Sequence, residues 1–515
     1  VIKCRLTFRD IFSDLIIDDA IAVADLSGVR RKVEGKLRPR NIEDVVRIVR
    51  AARKHKIKLH AFSCGRNWGF GSQLPAFDDA WLVDLGGMTQ VTEYDSECGV
   101  VRIEPGVTQG DLYRTLADHG NEWFFNITGA GESTSVLGNA LERGIGYYGQ
   151  RHLDLVELQV VTGSGDVVWT RLAQPGSGPS GAPLGTDITQ LFCQGSLGIV
   201  VAARLRLIRR TNGGGVIIAR LKAEMQADTF FRRILSLKQE GCIAGVPHMG
   251  NRERIISTMV PWIPANQVEA FSERAPAWTA ALPLLGRREL VDAAARVIET
   301  NLADLCHIET FLGTANLDVD KPNPSPREQL QLLACGFPSN LALPGVQWSA
   351  LGRADVSVLD PEKTSAGLIH VTPAIRSSAS EIQCIVTLVG DAGQSLNLPP
   401  LAMTVNIVDS LTTVVVISVP FPQRDAKHSQ EKARALAKLL RNAGIGFYRL
   451  GLIRDDGAPL AKRPARRIHA ELKRNFDPYN VFAPSKYDSL FATPPRVSVA
   501  SHSQRSGIAL SSYIT

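Results

Sequence analysis

The sequence lacks three things: a long apolar run, a metal-type cysteine spacing, and a strong charge of either sign. Of its 515 residues 44% are hydrophobic, yet no apolar run approaches the roughly 18 residues of a membrane helix. The longest candidates, such as Val414–Val419, have strand length, so no membrane partner is expected. The eight cysteines, at 4, 64, 98, 193, 242, 306, 335 and 384, form no CxxC pair and no Cys/His ligand spacing. They read as free thiols in a reducing, cytoplasmic compartment, and no metal site is predicted. The 58 Lys and Arg against 51 Asp and Glu leave +7, which is mild for this length and no argument for nucleic acid. The chain begins at Val1 without Met, which fits N-terminal trimming, and residues 1–10 hold no apolar core of the signal-peptide type.

The length is enough for about two to four domains or subdomains with a large core. The 21% of charged residues sets the chain apart from disordered sequences. Charge is uneven: Arg424 to Arg474 holds fourteen Lys or Arg and five Asp or Glu. Solvated helix faces are the ordinary source of such a run; an anionic cofactor or substrate nearby is the alternative.

Apolar periodicity predicts a helix over Asn41–Lys56, capped by Asn41 and burying Ile42, Val45, Val46, Ile48 and Val49. Lys56–Phe62, Trp81–Leu85, Val100–Glu104, Leu155–Val161, Val167–Thr170 and Ile199–Ile208 read as strands, and Thr108 caps a helix through Asp118. The mixture is α+β. Thr211–Gly215, with three consecutive glycines, marks a domain boundary. Beyond it, Leu368–Val371, Ile382–Val389, Met403–Val408 and Thr413–Val419 read as strands, Glu431–Asn442 and Pro464–Asn475 as helices, and Lys321–Pro326 as a Pro-rich loop. The Ser-rich tail from Thr493 is expected to be flexible.

Three segments carry chemistry. Ser63-Cys-Gly-Arg-Asn-Trp-Gly-Phe-Gly71 is a Gly-rich loop after a strand. Such a loop can turn several backbone N–H groups toward a pyrophosphate, whose charge is spread over many oxygens. It is not GxGxxG and no helix follows at once, so a Rossmann site is not implied. Ser135–Tyr147 mixes small and polar residues, and Gly195-Ser-Leu-Gly-Ile-Val200 precedes a strand; small side chains let backbone approach a flat ligand.

With Glu104-Pro-Gly-Val107 and the C-terminal Leu472–Lys486, these segments resemble, in the same order, the FAD-binding domain of the vanillyl-alcohol oxidase / p-cresol methylhydroxylase flavoproteins. The resemblance covers about residues 36–208 and 445–487. It implies a two-subdomain FAD-binding domain of the p-cresol methylhydroxylase type, plus a cap domain with an antiparallel sheet flanked by helices. The expected division is 1–208 and 451–490 for the FAD domain, 209–450 for the cap, and 491–515 for the tail. Carried over by position, Cys64, Gly65, Arg66 and Asn67 fall in the pyrophosphate loop, and Pro105 and Gly106 on the adenine side. Ser135, Gly138, Asn139, Arg143 and Gly144 run beside the dinucleotide. Gly198, Ile199 and Val200 hold the adenosine half, and Lys486 lies near the ring.

The family's phenol oxidases bind a phenolate oxygen through a Tyr-Arg pair late in the cap and a Tyr in the pyrophosphate loop. Tyr448 and Arg449 match the pair, and are the candidate catalytic residues; Phe70 stands at the third place and cannot hydrogen-bond an oxyanion. An acidic residue near the flavin aligns with Ala130, with Glu132 two places on as a substitute. A cap histidine of the family falls at Thr412. The position that links flavin in some members falls at Leu368, with His370 two residues on and therefore on the same strand face. Loop 63–71 has no His for the other linkage, so the expectation is non-covalent FAD.

The resemblance implies an FAD-dependent oxidoreductase transferring a hydride from a small organic substrate to flavin N5, with a 4-alkylphenol or related aromatic alcohol as one substrate class. The alternatives are oxidation of a non-phenolic substrate in a biosynthetic pathway, or a flavin-scaffold cyclase or binding protein without net redox. A homodimer is expected, with O2 or an electron-acceptor protein reoxidising the flavin.

Overall fold

The computed structural model describes residues 8–19, 21–171, 185–313, 324–453 and 463–488; the Ser-rich tail and residues 321–323 of the Pro-rich loop lie outside them. Asn41 caps the helix Ile42–His55 by accepting from the Asp44 amide, and Lys56 ends it in the left-handed region at φ 56°. Val45, Ile48, Val49 and Ala52 are buried on one face of this helix. They share a core with Leu37, Leu59, Trp81 and Val83 of a four-stranded sheet. Its order is Ile16–Asp19, Gly35–Leu37, Trp81–Asp84, Leu59–Phe62, and the last two strands run parallel.

A second, five-stranded antiparallel sheet has the order Val167–Trp169, Leu155–Val161, Ile199–Arg206, Val100–Ile103, Val91–Asp95. The helix Gln109–Asp118 packs with it through Leu112 and Leu116. Thr108 and Asp111 close a reciprocal capping box at the start of that helix. The C-terminal segment returns here. The helix Arg463–Phe476 is followed by Asp477, which accepts from the amides of Val481 at 2.7 Å and Phe482 at 3.0 Å. Leu59 then bonds Val481 and Ala483 on the free edge of the parallel strand, and this anchoring fixes where Lys486 falls.

The third sheet has eight antiparallel strands, all between Gly215 and Arg449. Their order is Cys306–Leu312, Gly215–Leu221, Trp278–Leu284, His248–Asn251, Ala402–Ile407, Thr412–Pro422, Ala366–Arg376, Gly446–Arg449. One face is core: Ile369, Val371, Met403, Val405, Ile417 and Val419 pack there with Phe231, Ile234 and Ile385 from helices behind. The register puts His370 opposite Ser418, Thr404 opposite Val416 and Gly250, and Asn406 opposite His248. Paired residues share a face, so the other face of this sheet carries the polar residues His370, Ser418, Thr404, Asn406 and His248 among apolar ones such as Val416.

One expected strand is a helix. Ile382–Val389 lies within the helix Ala379–Ser395, whose buried residues Ile382, Ile385, Val389 and Ala392 recur every three or four positions. β-branched composition suggested a strand; the spacing of the buried positions, extended past Val389, is helical.

Candidate cofactor and substrate site

A groove is lined by residues of segments 59–74, 134–142, 192–200 and 482–487, with Pro105 between them. Of the positions expected to hold FAD, it collects Cys64, Gly65, Arg66, Asn67, Pro105, Ser135, Gly138, Asn139, Gly198, Ile199, Val200 and Lys486; Phe70 is there too. Loop 63–71 opens with Gly65 at φ 67°. The Asn67 carbonyl then accepts from Phe70 at 3.0 Å and Ser72 at 3.1 Å. The amides of Gly65, Arg66 and Asn67 donate to no group among the described residues, leaving a row of unsatisfied donors beside the Arg66 cation. A Cβ on Gly138 would overlap Ser63 Oγ, so the approach of the two walls depends on that glycine. The donor-rich, Gly-narrowed cradle fits an anionic dinucleotide.

Hydrogen bonds fasten the cradle. Ser135 Oγ donates to the Pro105 carbonyl at 2.6 Å and accepts from the Gly138 amide at 2.8 Å. Cys64 Sγ lies 3.5 Å from the Gly106 carbonyl, and burial pushes this thiol up to about 11, so it stays protonated at neutral pH. Gly106, Arg143 and Gly144 are not on the groove wall. Gly106 packs under Gly86 and Met88, Gly144 against the Asn139 side chain, and Arg143 turns the chain at φ 53°. They shape the cradle from behind.

At one end of the groove sits an ion cluster built around Glu142, a residue of the Ser135–Tyr147 segment that the position-by-position comparison passes over. Its Oε2 lies 3.0 Å from Lys486 Nζ and 3.7 Å from Arg449 Nη2, and accepts from Tyr487 OH at 2.9 Å. Burial pushes the Glu142 carboxyl up, but Lys486 and Arg449 outweigh it and hold the group below the ordinary range. Lys486 also donates to the Phe70 carbonyl at 3.1 Å. Arg449 donates to Asn67 Oδ1 at 2.6 Å and lies 4.0 Å over the Phe70 ring.

Tyr448 and Arg449 adjoin on the strand Gly446–Arg449, so their side chains leave on opposite faces. Tyr448 OH donates to Gln150 Oε1 at 3.0 Å, Gln150 Nε2 to Asp409 Oδ2 at 3.1 Å, and the Thr412 amide to Asp409 Oδ1 at 2.7 Å. Thr412 therefore belongs to the turn that braces Tyr448 through Gln150 and Asp409. Burial pushes the Tyr448 phenol up to about 12. Glu132 accepts from Asn340 Nδ2 at 3.1 Å, and burial raises its carboxyl above the ordinary range; Ala130, its neighbour in the same loop, accepts from Thr134 through its carbonyl.

The polar face of the eight-stranded sheet meets loop 63–71. The His370 amide donates to the Gly69 carbonyl at 3.1 Å, and its ring packs on Phe70 with centroids 5.0 Å apart. Leu368 is enclosed with Leu26, Trp68 and Leu343. Burial first, then Arg254 and Arg449, push His370 down to about 3, so the imidazole is neutral at pH 7. Tyr147 approaches the same face, its ring 4.7 Å from that of His248. Sequence periodicity held no signal for Arg254, Ser418, Gln150 or Asp409, because each acts across strands or domains.

The groove, the capping sheet and the unsatisfied loop amides define an FAD-binding protein of the α+β type. Residues 33–171 match the FAD binding domain family FAD_binding_4. The chain is 25% identical over 502 residues to 1'-carboxy-chondrochloren decarboxylase of Chondromyces crocatus, covering 90% of this chain and 92% of that one. It is 30% identical over 153 residues to the 4-cresol dehydrogenase [hydroxylating] flavoprotein subunit of Pseudomonas putida, spanning 29% of this chain and 28% of that relative. p-Cresol methylhydroxylase, solved with substrate bound, superposes with TM-score 0.80 at 19% identity over 94% of this chain and 96% of that one. The chain carries an FAD_binding_4 domain, and its homologues and structural neighbours come from the p-cresol methylhydroxylase / vanillyl-alcohol oxidase family of FAD-linked oxidases. Its cofactor is FAD.

Among the described residues no helix is long and apolar enough to cross a membrane, and no group of three or more His, Cys, Asp or Glu could hold a metal ion.

Proposed function

We propose that this protein oxidises a small organic substrate with FAD, the substrate lying between loop 63–71 and the polar face of the eight-stranded sheet. The observation that supports this most is the meeting of Phe70, His370 and Arg449 at the end of the groove, under that face. Bound FAD supplies a two-electron acceptor for a substrate hydride. The amides of Gly65, Arg66 and Asn67 hold its pyrophosphate, Ser135, Gly138 and Asn139 flank it, Ile199 and Val200 hold the adenosine half, and Lys486 lies toward the ring. Lys486 and Arg449 both meet the Glu142 carboxylate, with Asp25 also acting on Lys486, and these two cations at the end of the groove suit an anion forming nearby. FAD is held without a covalent bond in this reading. Leu368 cannot form one, and His370 is engaged with Gly69, Phe70 and Ser418. Residues 1–208 and 451–490 form the FAD unit and 209–450 the cap, and the chain is a homodimer.

Two substrate readings compete. A 4-alkylphenol is supported by the 4-cresol dehydrogenase relative and by Tyr448-Arg449. In this structure, however, the two side chains serve Gln150 on one side and Asn67 and Glu142 on the other, and Phe70 offers no hydroxyl. A carboxylated substrate that loses CO2 is supported by the decarboxylase relative, which aligns along nearly its whole length. In such a reaction a hydride leaves one carbon, the electron pair of the adjacent C–COO⁻ bond closes a C=C bond, and CO2 departs.

The experiment is anaerobic mixing of FAD-loaded protein with 4-ethylphenol and with 3-(4-hydroxyphenyl)propanoate, following flavin absorbance. Bleaching by either supports redox chemistry; CO2 release with the acid favours the second reading, and conversion of either compound without bleaching overturns the redox assignment. Acid precipitation should release the flavin into the supernatant; flavin retained on the denatured chain at His370 would overturn non-covalent binding.

A further inference from the structure

Among the described residues Arg254 is a cation without a counter-ion. It sits on the helix Arg252–Met259, whose start is capped by Asn251, and reaches over the polar face of the eight-stranded sheet. Nη2 donates to Ser418 Oγ at 2.6 Å, and Nε is sealed from solvent with no partner. Among the described residues no carboxylate pairs with it. Burial alone acts on the guanidinium, pulling it down to about 10, so it remains charged at neutral pH. The residue is only partly accessible. An enclosed, unpaired charge is costly to the folded chain, and such groups recur where a ligand completes them.

The neighbours give the charge a direction. Ser418 accepts from Arg254, and the same Oγ lies 3.3 Å from His370 Nδ1. His370 packs on Phe70 and bonds Gly69 of the pyrophosphate loop. A line of polar groups thus runs from Arg254 through Ser418 and His370 to Phe70 at the end of the FAD groove. Thr404 lies on the same face and offers a hydroxyl but no negative charge.

We propose that Arg254 binds the carboxylate of the substrate, holding an organic acid against the polar face with its reacting carbon toward Phe70 and His370. The proposal rests on the reading that this face is the substrate side, and narrows the substrate to carboxylated compounds. Arg suits the task, since its N–H groups match a planar carboxylate and its charge persists when enclosed.

The test uses FAD-loaded protein and three probes, 3-(4-hydroxyphenyl)propanoate, its primary amide and 4-ethylphenol, titrated anaerobically. Binding is read from flavin spectral perturbation and, independently, from the rise in unfolding temperature. The acid should bind roughly ten- to a hundredfold more tightly than the amide, the range of a charge-assisted hydrogen bond. Arg254→Gln should erase the difference at unchanged flavin content, and Arg254→Lys should keep part of it. Equal binding of acid and amide to the unaltered protein, binding of neither, or a preference that survives Arg254→Gln overturns the proposal. If Arg254→Gln does not fold, the unaltered protein and Arg254→Lys decide. A protein that prefers the acid yet never bleaches with any probe would sink the redox reading and leave the carboxylate site standing; bleaching with 4-ethylphenol and indifference to the carboxylate would do the reverse.

Discussion

The guanidinium of Arg449 lies 4.0 Å from the centre of the Phe70 ring, and the same guanidinium bonds Asn67 three residues earlier in the pyrophosphate loop. One side chain of the strand Gly446–Arg449 therefore braces the loop that holds the cofactor, at its polar and its aromatic residue together. An arginine so placed affects cofactor binding as well as any substrate anion.

Arg449→Ala should accordingly weaken FAD binding and lower kcat/KM per bound flavin about ten- to a hundredfold. Arg449→Lys should restore part of both, because an ammonium can approach Glu142 but cannot lie flat on Phe70 while bonding Asn67. Flavin content and kcat/KM measured on one preparation check this. Full activity per bound flavin in Arg449→Ala would confine the residue to bracing the loop.

Glu142→Gln removes the carboxylate that Lys486 and Arg449 share and leaves the two cations facing each other without it. The expected loss is about 1–3 kcal/mol at pH 7. The carboxylate's folded value is depressed, so its stabilising effect is complete above the unfolded value of about 4.3 and fades as pH falls through the lower, folded value. Thermal unfolding of both proteins from pH 3 to pH 8 should show a gap that is constant near neutrality and narrows only in acid. A gap that widens in acid would contradict the ion cluster.

Gly138→Ala tests the cradle. Gly138 is helical, so alanine costs nothing in backbone conformation and acts only through its Cβ against Ser63. FAD affinity should drop by roughly tenfold or more, the scale of a lost hydrogen bond or a displaced wall, with little change in the unfolding temperature of the flavin-free protein. Adding Ser63→Ala removes the hydroxyl and should recover part of the affinity, since Ser63 Cβ at 3.1 Å remains tight. Fluorescence titration of the flavin-free proteins measures it; unaltered affinity in Gly138→Ala would mean the walls need not approach so closely.

Much of this was legible in the chain where structure is local. The Asn41 and Thr108 helix caps follow from residues that act on near neighbours, and the segments around 63–67, 135–139 and 198–200 stood out by their small and polar residues and by their resemblance to a flavoprotein family. The helix Ala379–Ser395 was not, because an eight-residue window rich in β-branched and apolar side chains is too short to separate a strand from a buried helix. Glu142 stood inside a recognised segment, but its partners Lys486 and Arg449 come from the far end of the chain. Arg254 carries no motif at all. Its meaning depends on the register that puts Ser418 beside His370 and on the lack of a carboxylate paired with it among the described residues, and neither is written in a single sequence.

Phe70→Tyr probes how the site departs from a phenol-binding one. The Phe70 ring is held between Arg449 at 4.0 Å and His370 at 5.0 Å, so a tyrosine can keep the ring position and adds only the hydroxyl. If that hydroxyl reaches the space where a substrate oxygen lies, it supplies a donor that the present residues lack, and kcat/KM for 4-ethylphenol should rise about tenfold or more. Turnover of 3-(4-hydroxyphenyl)propanoate should change less, because its carboxylate is oriented by Arg254. The added hydroxyl needs a partner of its own when enclosed, so a modest fall in unfolding temperature is expected. Steady-state kinetics on both compounds, with flavin content and unfolding temperature from the same preparation, separate the outcomes. A stable, flavin-loaded Phe70→Tyr protein with no gain on 4-ethylphenol would place the substrate's polar end away from Phe70, toward the Arg254 side of the cap.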